Sequence, residues 1–167
     1  MLDLALAEDL RTTFTAQLLN NDDTAVGAML NHPHSIVSLS DAGAHLTFFT
    51  DAGFGLHLLG HWVRERGAMS LPEAVRRLTS QSALLFGMPK RGLLREGYAA
   101  DLLLFDPATV GRGPKRRVFD LPGGAPRLTT DAIGVHGVWV NGTQVADANG
   151  MIDAAPLAGE LMTEFRT

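Results

Sequence analysis

Apolar residues recur at helical spacing through the first half of the chain and shift to a strand-like period beyond residue 100. Leu2, Leu4, Leu6 and Leu10 stand among good helix formers and predict a helix over 2–10. Asn20-Asn21-Asp22-Asp23 offers N-cap chemistry for a short helix carrying Ala25, Val26, Met29 and Leu30. His32-Pro33 stops that helix, because proline disfavours the helical conformation in the residue before it. Ile36-Val37-Ser38-Leu39-Ser40 is short, rich in β-formers and bounded by turn residues, which predicts a buried strand of the parallel-sheet kind over 35–40. A helix over 54–66 follows, with Leu56, Leu59 and Val63 on one face and Gly67 closing it. Ser70-Leu71-Pro72-Glu73 has the pattern of a capping box, serine taking an orphan N–H and glutamate reaching back. It opens a helix over 70–86, with Ala74, Val75, Leu78, Leu84 and Leu85 on its apolar face. Gly87, with Pro89 beyond it, is the expected stop.

The second half reads differently. Leu102-Leu103-Leu104-Phe105 predicts one strand and Val135 to Val140 another. Asn141-Gly142 is a hairpin turn leading into Gln144-Val145. The Gly- and Pro-rich stretch from Gly111 to Pro126 predicts a long irregular surface connection. Residues 1–88 therefore read as α/β, 89–150 as a small β module expected to fold independently, and 151–167 as a tail. No internal repeat stands out.

Composition narrows the function classes. The chain has 167 residues, 46% hydrophobic and 19% charged, which is globular composition with material for a real core. A net charge of −4 without a basic stripe argues against nucleic acid as a partner. Lys115-Arg116-Arg117 is the densest basic run and reads as a solvated loop. With no cysteine, disulfides and thiolate metal sites are excluded, leaving His, Asp and Glu as metal ligands. Met1-Leu2-Asp3 lacks the basic region of a secretion signal, and no apolar run approaches the roughly 20 residues of a membrane span. A soluble cytoplasmic protein is expected.

Asp41 is the principal candidate for chemistry. An acid one residue past a buried strand stands where α/β barrels place catalytic groups, and it can bind a metal or take a proton from water. Spacing alone favours a plainer role, an Asx-turn before Gly43. His45, four residues on in the same loop, can reach a substrate or hydrogen-bond Asp41. His32 and His34 precede the strand, and extended chain at roughly 3.3 Å per residue puts His34 about 20 Å from Asp41, so the two cannot share a metal. His57 and His61 share a helix face, but Leu58 stands where a metalloprotease helix has glutamate, which reads as packing. Gly53-Phe54-Gly55 lacks the remainder of a nucleotide-binding loop.

Four segments, in order and at matching spacing, resemble one family. Ser38-Leu39-Ser40-Asp41-Ala42-Gly43-Ala44-His45 is similar to the segment after the last barrel strand of D-aminoacylase-type amidohydrolases. Leu71 to Phe86, including Ala74-Val75-Arg76-Arg77-Leu78-Thr79, is similar to the helix that follows. Gly97-Tyr98-Ala99-Ala100-Asp101-Leu102-Leu103-Leu104-Phe105-Asp106 looks like the re-entry into the small β-sandwich, and Val138-Trp139-Val140-Asn141-Gly142 like its closing hairpin. The resemblance runs from about Leu2 to about Gly150.

It implies an α/β fold: the C-terminal fragment of a (β/α)8 metal-dependent hydrolase barrel followed by part of a small β-sandwich. It also implies a hydrolase acting on the amide of N-acyl-D-amino acids, with zinc in the intact enzyme and a metal-bound hydroxide as nucleophile. By position Asp41 inherits the role of activating the water and passing its proton to the leaving amine, and of a metal ligand only alongside ligands this chain lacks. His45 is the accompanying substrate contact. The His-x-His pair of the family's first strand is missing, so the chain is expected to be a fragment, inactive alone, with no tightly bound cofactor. A lone barrel strand exposes its edges, which predicts a homo-oligomer through the barrel-derived half. The alternative is a non-catalytic oligomerisation or interaction module derived from such an enzyme.

Overall fold

The computed structural model describes residues 1–12, 14, 16–17, 19–38, 40–50 and 52–165. Five α-helices occupy the first half: α1 (Leu2–Ala7), α2 (Asp23–Asn31), α3 (Phe54–His57), α4 (Leu71–Leu78) and α5 (Ser80–Leu85). Between α3 and α4 the helix continues as a wider π-type segment, Leu58–Glu65, closed by an Arg66 N–H to His61 carbonyl bond of 2.9 Å. The second half holds eight strands: β1 (Leu102–Phe105), β2 (Gly111–Arg112), β3 (Arg116–Leu121), β4 (Ala125–Thr129), β5 (Ala132–Ile133), β6 (Val135–Val140), β7 (Thr143–Asp147) and β8 (Gly150–Met151). The chain is thus α/β, with helices and sheets segregated along the sequence. Among the described residues no helix is long and apolar enough to cross a membrane.

Local chemistry sets the helix ends. Asp22 caps α2, its carboxylate accepting from the N–H groups of Thr24 and Ala25 at 2.8 and 3.1 Å. Ser70 Oγ accepts from Glu73 N–H at 3.4 Å, half of the expected capping box. The reciprocal half is not formed, because the Glu73 carboxylate turns to Arg76 and Arg77 instead. The single helix expected over 70–86 is broken at Thr79, with φ −124° and ψ −89°. The break follows a close approach: a Cβ at Gly92 would lie 2.9 Å from Ser80 and Thr79 backbone atoms.

The sheets confirm the hairpin. β1, β6, β7 and β8 form one antiparallel sheet in that order, Leu103 opposite Val138 and Val138 opposite Ala146. Asn141 and Gly142 take φ 47° and 81°, the left-handed pair that a two-residue turn of this hand requires. The irregular connection expected from Gly111 to Pro126 is ordered instead. β3 and β4 form a hairpin around Pro122–Gly124, and β2 pairs with β5. Arg116 and Arg117 are strand residues rather than loop. The Arg116 guanidinium pairs with the Asp131 carboxylate at 2.7 Å, and Arg127 pairs with Asp120 at 2.7 Å across the hairpin. Alternation hid these strands, because their polar residues are matched in pairs rather than set against a core.

The expected strand over 35–40 is not formed. Its described residues belong to no ladder, and Leu39 lies outside the described residues. A buried parallel strand needs partners on both edges, and no described strand of this chain lies alongside it. Val37 packs against the main core nevertheless.

That core joins both halves. Leu58, Leu59, Trp62, Met69 and Ala74 from the helical part enclose Val110, which is 1% exposed, and Phe105 packs at its edge. The most buried side chain of 89–150, Val110, thus packs among the helices. Leu58→Ala removes a side chain 2% exposed at the centre of this cluster and should cost about 3 kcal/mol in urea unfolding. A loss below 1 kcal/mol, measured with an unchanged denaturant slope, would contradict this core.

Glu73 gives a second prediction. Its hydrogen bonds from Arg76 and then Arg77 hold its carboxyl at about 2, against an ordinary 4.5. A depressed folded value means that the group's contribution is full above the ordinary value and lost as pH falls through about 2. The stability advantage of the parent over Glu73→Gln should therefore be constant near neutrality and shrink below pH 4.5. An advantage that persists unchanged down to pH 2.5 would refute the pairing.

Candidate functional site

Asp41 stands in an exposed loop that returns to the fold at Thr50, which is buried. Turns shape this loop. The Asp41 carbonyl accepts from Ala44 N–H at 3.0 Å, and the His45 carbonyl accepts from Phe48 and Phe49 N–H at 3.0 Å each. Ala42 N–H is held by Ser40, its Oγ at 3.3 Å. Among the described residues the Asp41 carboxylate takes no hydrogen bond, so the expected Asx-turn is not what holds it. The Leu46 carbonyl accepts from Leu128 N–H of β4 at 2.8 Å, and Lys115 Nζ lies 5.9 Å over the Phe49 ring.

His45 is placed in the same loop but engaged differently from expectation. It has a left-handed φ of 52°, and its ring stacks on Phe48 at 5.0 Å. Among the described residues it makes no hydrogen bond to Asp41. The His32 and His34 rings lie 5.5 Å apart, and His34 N–H donates to His32 Nδ1 at 3.2 Å in a local turn after α2.

His57 and His61 stack nearly parallel at 4.8 Å. His61 Nδ1 donates to Glu65 at 2.9 Å while its Nε2 accepts from Arg66 Nε at 3.5 Å, an assignment of the ring proton that follows from the network. The His61 hydrogen bond, with the Arg64 charge behind it, holds the Glu65 carboxyl below its ordinary range. His57, His61, Arg64 and Glu65 line a cleft of about 480 Å³ between the π-type helix and β2, with Arg112 and Lys115 on the far side. A shallower one of about 350 Å³ is lined by Asp23, Asn31, Trp62 and Arg66. Asp41 and His45 line neither. Among the described residues no group of three or more His, Asp or Glu could hold a metal ion.

One residue escaped the sequence reading. Arg77 is 4% exposed on the inner face of α4, and it ties α4 to the turn that precedes the Asp41 segment. The signal was present: an arginine between Ala74 and Leu78 on an apolar face, four residues after a glutamate.

Comparison with known proteins places this loop in a family. Residues 2–146 match the model of the amidohydrolase family. The chain is 42% identical over 91 residues to the N-acyl-D-aspartate deacylase of Alcaligenes xylosoxydans xylosoxydans, covering 54% of this chain and 16% of that protein. It is 42% identical over 88 residues to the D-aminoacylase of the same organism, again 16% of its length. Among solved structures, a D-aminoacylase described as defining a novel subset of amidohydrolases aligns at 36% identity and TM-score 0.47, over 60% of this chain and 19% of that one. The N-acyl-D-glutamate deacylase of Bordetella bronchiseptica, solved with zinc and a phosphonate mimic of the tetrahedral intermediate, aligns at 34% identity and TM-score 0.46, over 64% and 19%. The chain thus spans about a sixth to a fifth of the relatives it matches. With the family model matched over most of its length, this chain belongs to the amidohydrolase family.

Proposed function

We propose that the chain is the C-terminal portion of a metal-dependent amidohydrolase that hydrolyses the amide of N-acyl-D-amino acids. The identity to the N-acyl-D-aspartate deacylase and the D-aminoacylase carries this reading. In it, 1–88 corresponds to the end of the (β/α)8 barrel and 89–150 to part of the small β-sandwich. Asp41 is the general base and then the general acid: its carboxylate accepts a proton from the attacking water and returns it to the departing amine nitrogen. An exposed carboxylate free of hydrogen bonds among the described residues is available for that exchange. His45, held on Phe48 four residues on, contacts the substrate.

Zinc is present in one solved relative, but the donor set here does not fit a zinc site, because Asp41 is a single carboxylate with no second ligand beside it among the described residues. Zinc sites take about three or four protein ligands. Titration of the metal-free chain with zinc in a calorimeter should therefore show weak binding or none, and tight one-to-one binding would contradict the assignment. The chain alone should also leave N-acetyl-D-amino acids unhydrolysed.

A chimera tests the activity. The chain replaces the segment that it matches in the N-acyl-D-aspartate deacylase, and hydrolysis of N-acyl-D-aspartate is measured. The chimera should be active. Asp41→Asn should lower kcat by roughly 100-fold or more with KM nearly unchanged, as expected for lost proton transfer. A chimera whose kcat survives Asp41→Asn would refute the role of Asp41.

A second reading, an oligomerisation module, is favoured by exposed apolar side chains. Leu6, Met29, Leu84 and Leu85 are 68, 52, 84 and 59% exposed on the helical half. Such surface on a soluble chain marks an interface, and the partner in this reading is a second copy. Light scattering after gel filtration at micromolar concentration should give a mass above the 17.9 kDa of one chain. A monodisperse monomer would sink this reading.

A further inference from the structure

The guanidinium of Arg77 is spent almost entirely on one turn. Its Nε donates to Glu73 Oε1 at 2.7 Å. Its Nη1 reaches the carbonyls of His32 and Ser35 at 3.5 and 3.4 Å and the Ser35 hydroxyl at 3.5 Å. Its Nη2 donates to the Asn31 carbonyl at 3.3 Å. One helical turn on, Gln81 Nε2 donates to the same Ser35 carbonyl at 3.1 Å. Ser35 is drawn in further by its own hydroxyl, which donates to the Met29 and His32 carbonyls at 2.6 and 2.9 Å.

The Asn31 and His32 carbonyls are among those a helix leaves unsatisfied at its C-terminal end, here the end of α2, and Ser35 stands in the turn just beyond. A cation is favoured there, and only a planar fork with several donors meets carbonyls from three residues and a carboxylate together. An apolar side chain of equal bulk would take from the Asn31 carbonyl the donor it has here, a real free-energy loss, while the Ser35 and His32 carbonyls keep Gln81 and the Ser35 hydroxyl. The arrangement is therefore specific to arginine and to this turn.

What the turn leads to is Asp41. Beyond Ser35, Val37 touches the core, and residues 41 to 45 are exposed. Among the described residues the next hydrogen bond from another element reaches Leu46, from Leu128 of β4. The Asp41 loop hangs between two anchors, and the upstream one is made by α4 and α5. We infer that Arg77, seconded by Gln81, is the positioning residue for Asp41: it fixes the origin of the segment that delivers the carboxylate. The functional meaning of this rests on the reading of Asp41 above; the positioning itself is tested without it.

The chain has no cysteine, so one introduced at Ala44→Cys carries a nitroxide spin label cleanly. A second labelled chain, at Thr143→Cys on the β6–β7 hairpin, reports the rest of the fold. In the parent the loop label should give a broadened spectrum. Arg77→Ala should sharpen it, shortening the rotational correlation time by roughly threefold within the nanosecond range of loop motion. Arg77→Lys should fall between, since a point charge keeps part of the attraction and loses the fork. Gln81→Ala should shift the loop spectrum in the same direction by less, with the hairpin label unchanged. If Arg77→Ala does not fold, Arg77→Lys and Gln81→Ala decide the matter. A loop spectrum unmoved in Arg77→Lys and Gln81→Ala overturns the inference, and so does equal sharpening of both labels, which would make the pair merely structural. These spectra do not depend on catalysis, so an inactive chimera would count against Asp41 and not against the anchor.

Discussion

The helix over Leu58–Glu65 approaches the turn before β2 closely because residue 60 is glycine: a Cβ there would stand 2.7 Å from the Val110 carbonyl oxygen. The same carbonyl accepts from the Arg64 guanidinium, one helical turn on. This contact seats Val110 among Leu58, Leu59 and Trp62, and the rest of the packing follows from it. The turn presenting Val110 is itself tightly held. Asp106 accepts from Ala108 N–H and Thr109 Oγ1 at 2.8 and 2.9 Å, and these bonds hold its carboxyl below the ordinary range. Gly134, at φ 67°, lets β5 pass where a Cβ would meet Thr109 and Val110 backbone within 2.8 Å. Two glycines and one acid thus fix the joint between helices and sheets.

From this joint the fold extends outward through progressively weaker ties. α4 packs on the helix through Ala74 and holds Arg77 inside. Arg77 in turn holds the end of α2. Beyond that turn, among the described residues, the Asp41 loop is next tied to another element by the Leu46 carbonyl, which accepts from Leu128 N–H. Side chains of α4 and α5 hold Ser35, upstream of Asp41, through its carbonyl and hydroxyl.

The sequence made some of this legible and hid the rest for physical reasons. Asp22, Ser70 and Asn141-Gly142 were legible because caps and tight turns are local, decided by a few neighbouring residues. Ile36 to Ser40 has the composition of a buried strand, but a ladder is a property of partners, and none of the described strands pairs with it. β3 and β4 escaped notice because Arg116, Arg127 and their acids hold a two-stranded ribbon without a hydrophobic face. Asp41 was reached through the resemblance of its segment, not through spacing, which favoured a turn cap the structure does not form. Arg77 needed three dimensions, since its partners lie more than 40 residues away.

The central claim is that helices and sheets share one core through Val110. The chain carries two tryptophans, Trp62 in the helix and Trp139 in β6, one on each side of that joint. Urea unfolding followed by fluorescence in Trp62→Phe and Trp139→Phe then reports each side separately. A shared core predicts that, after correction for each substitution's own effect on stability, the two probes give coincident transitions with one midpoint and one slope. Two separated transitions, with the Trp139 signal surviving after the Trp62 signal is lost, would show that the β module stands alone and that Val110 does not join the halves.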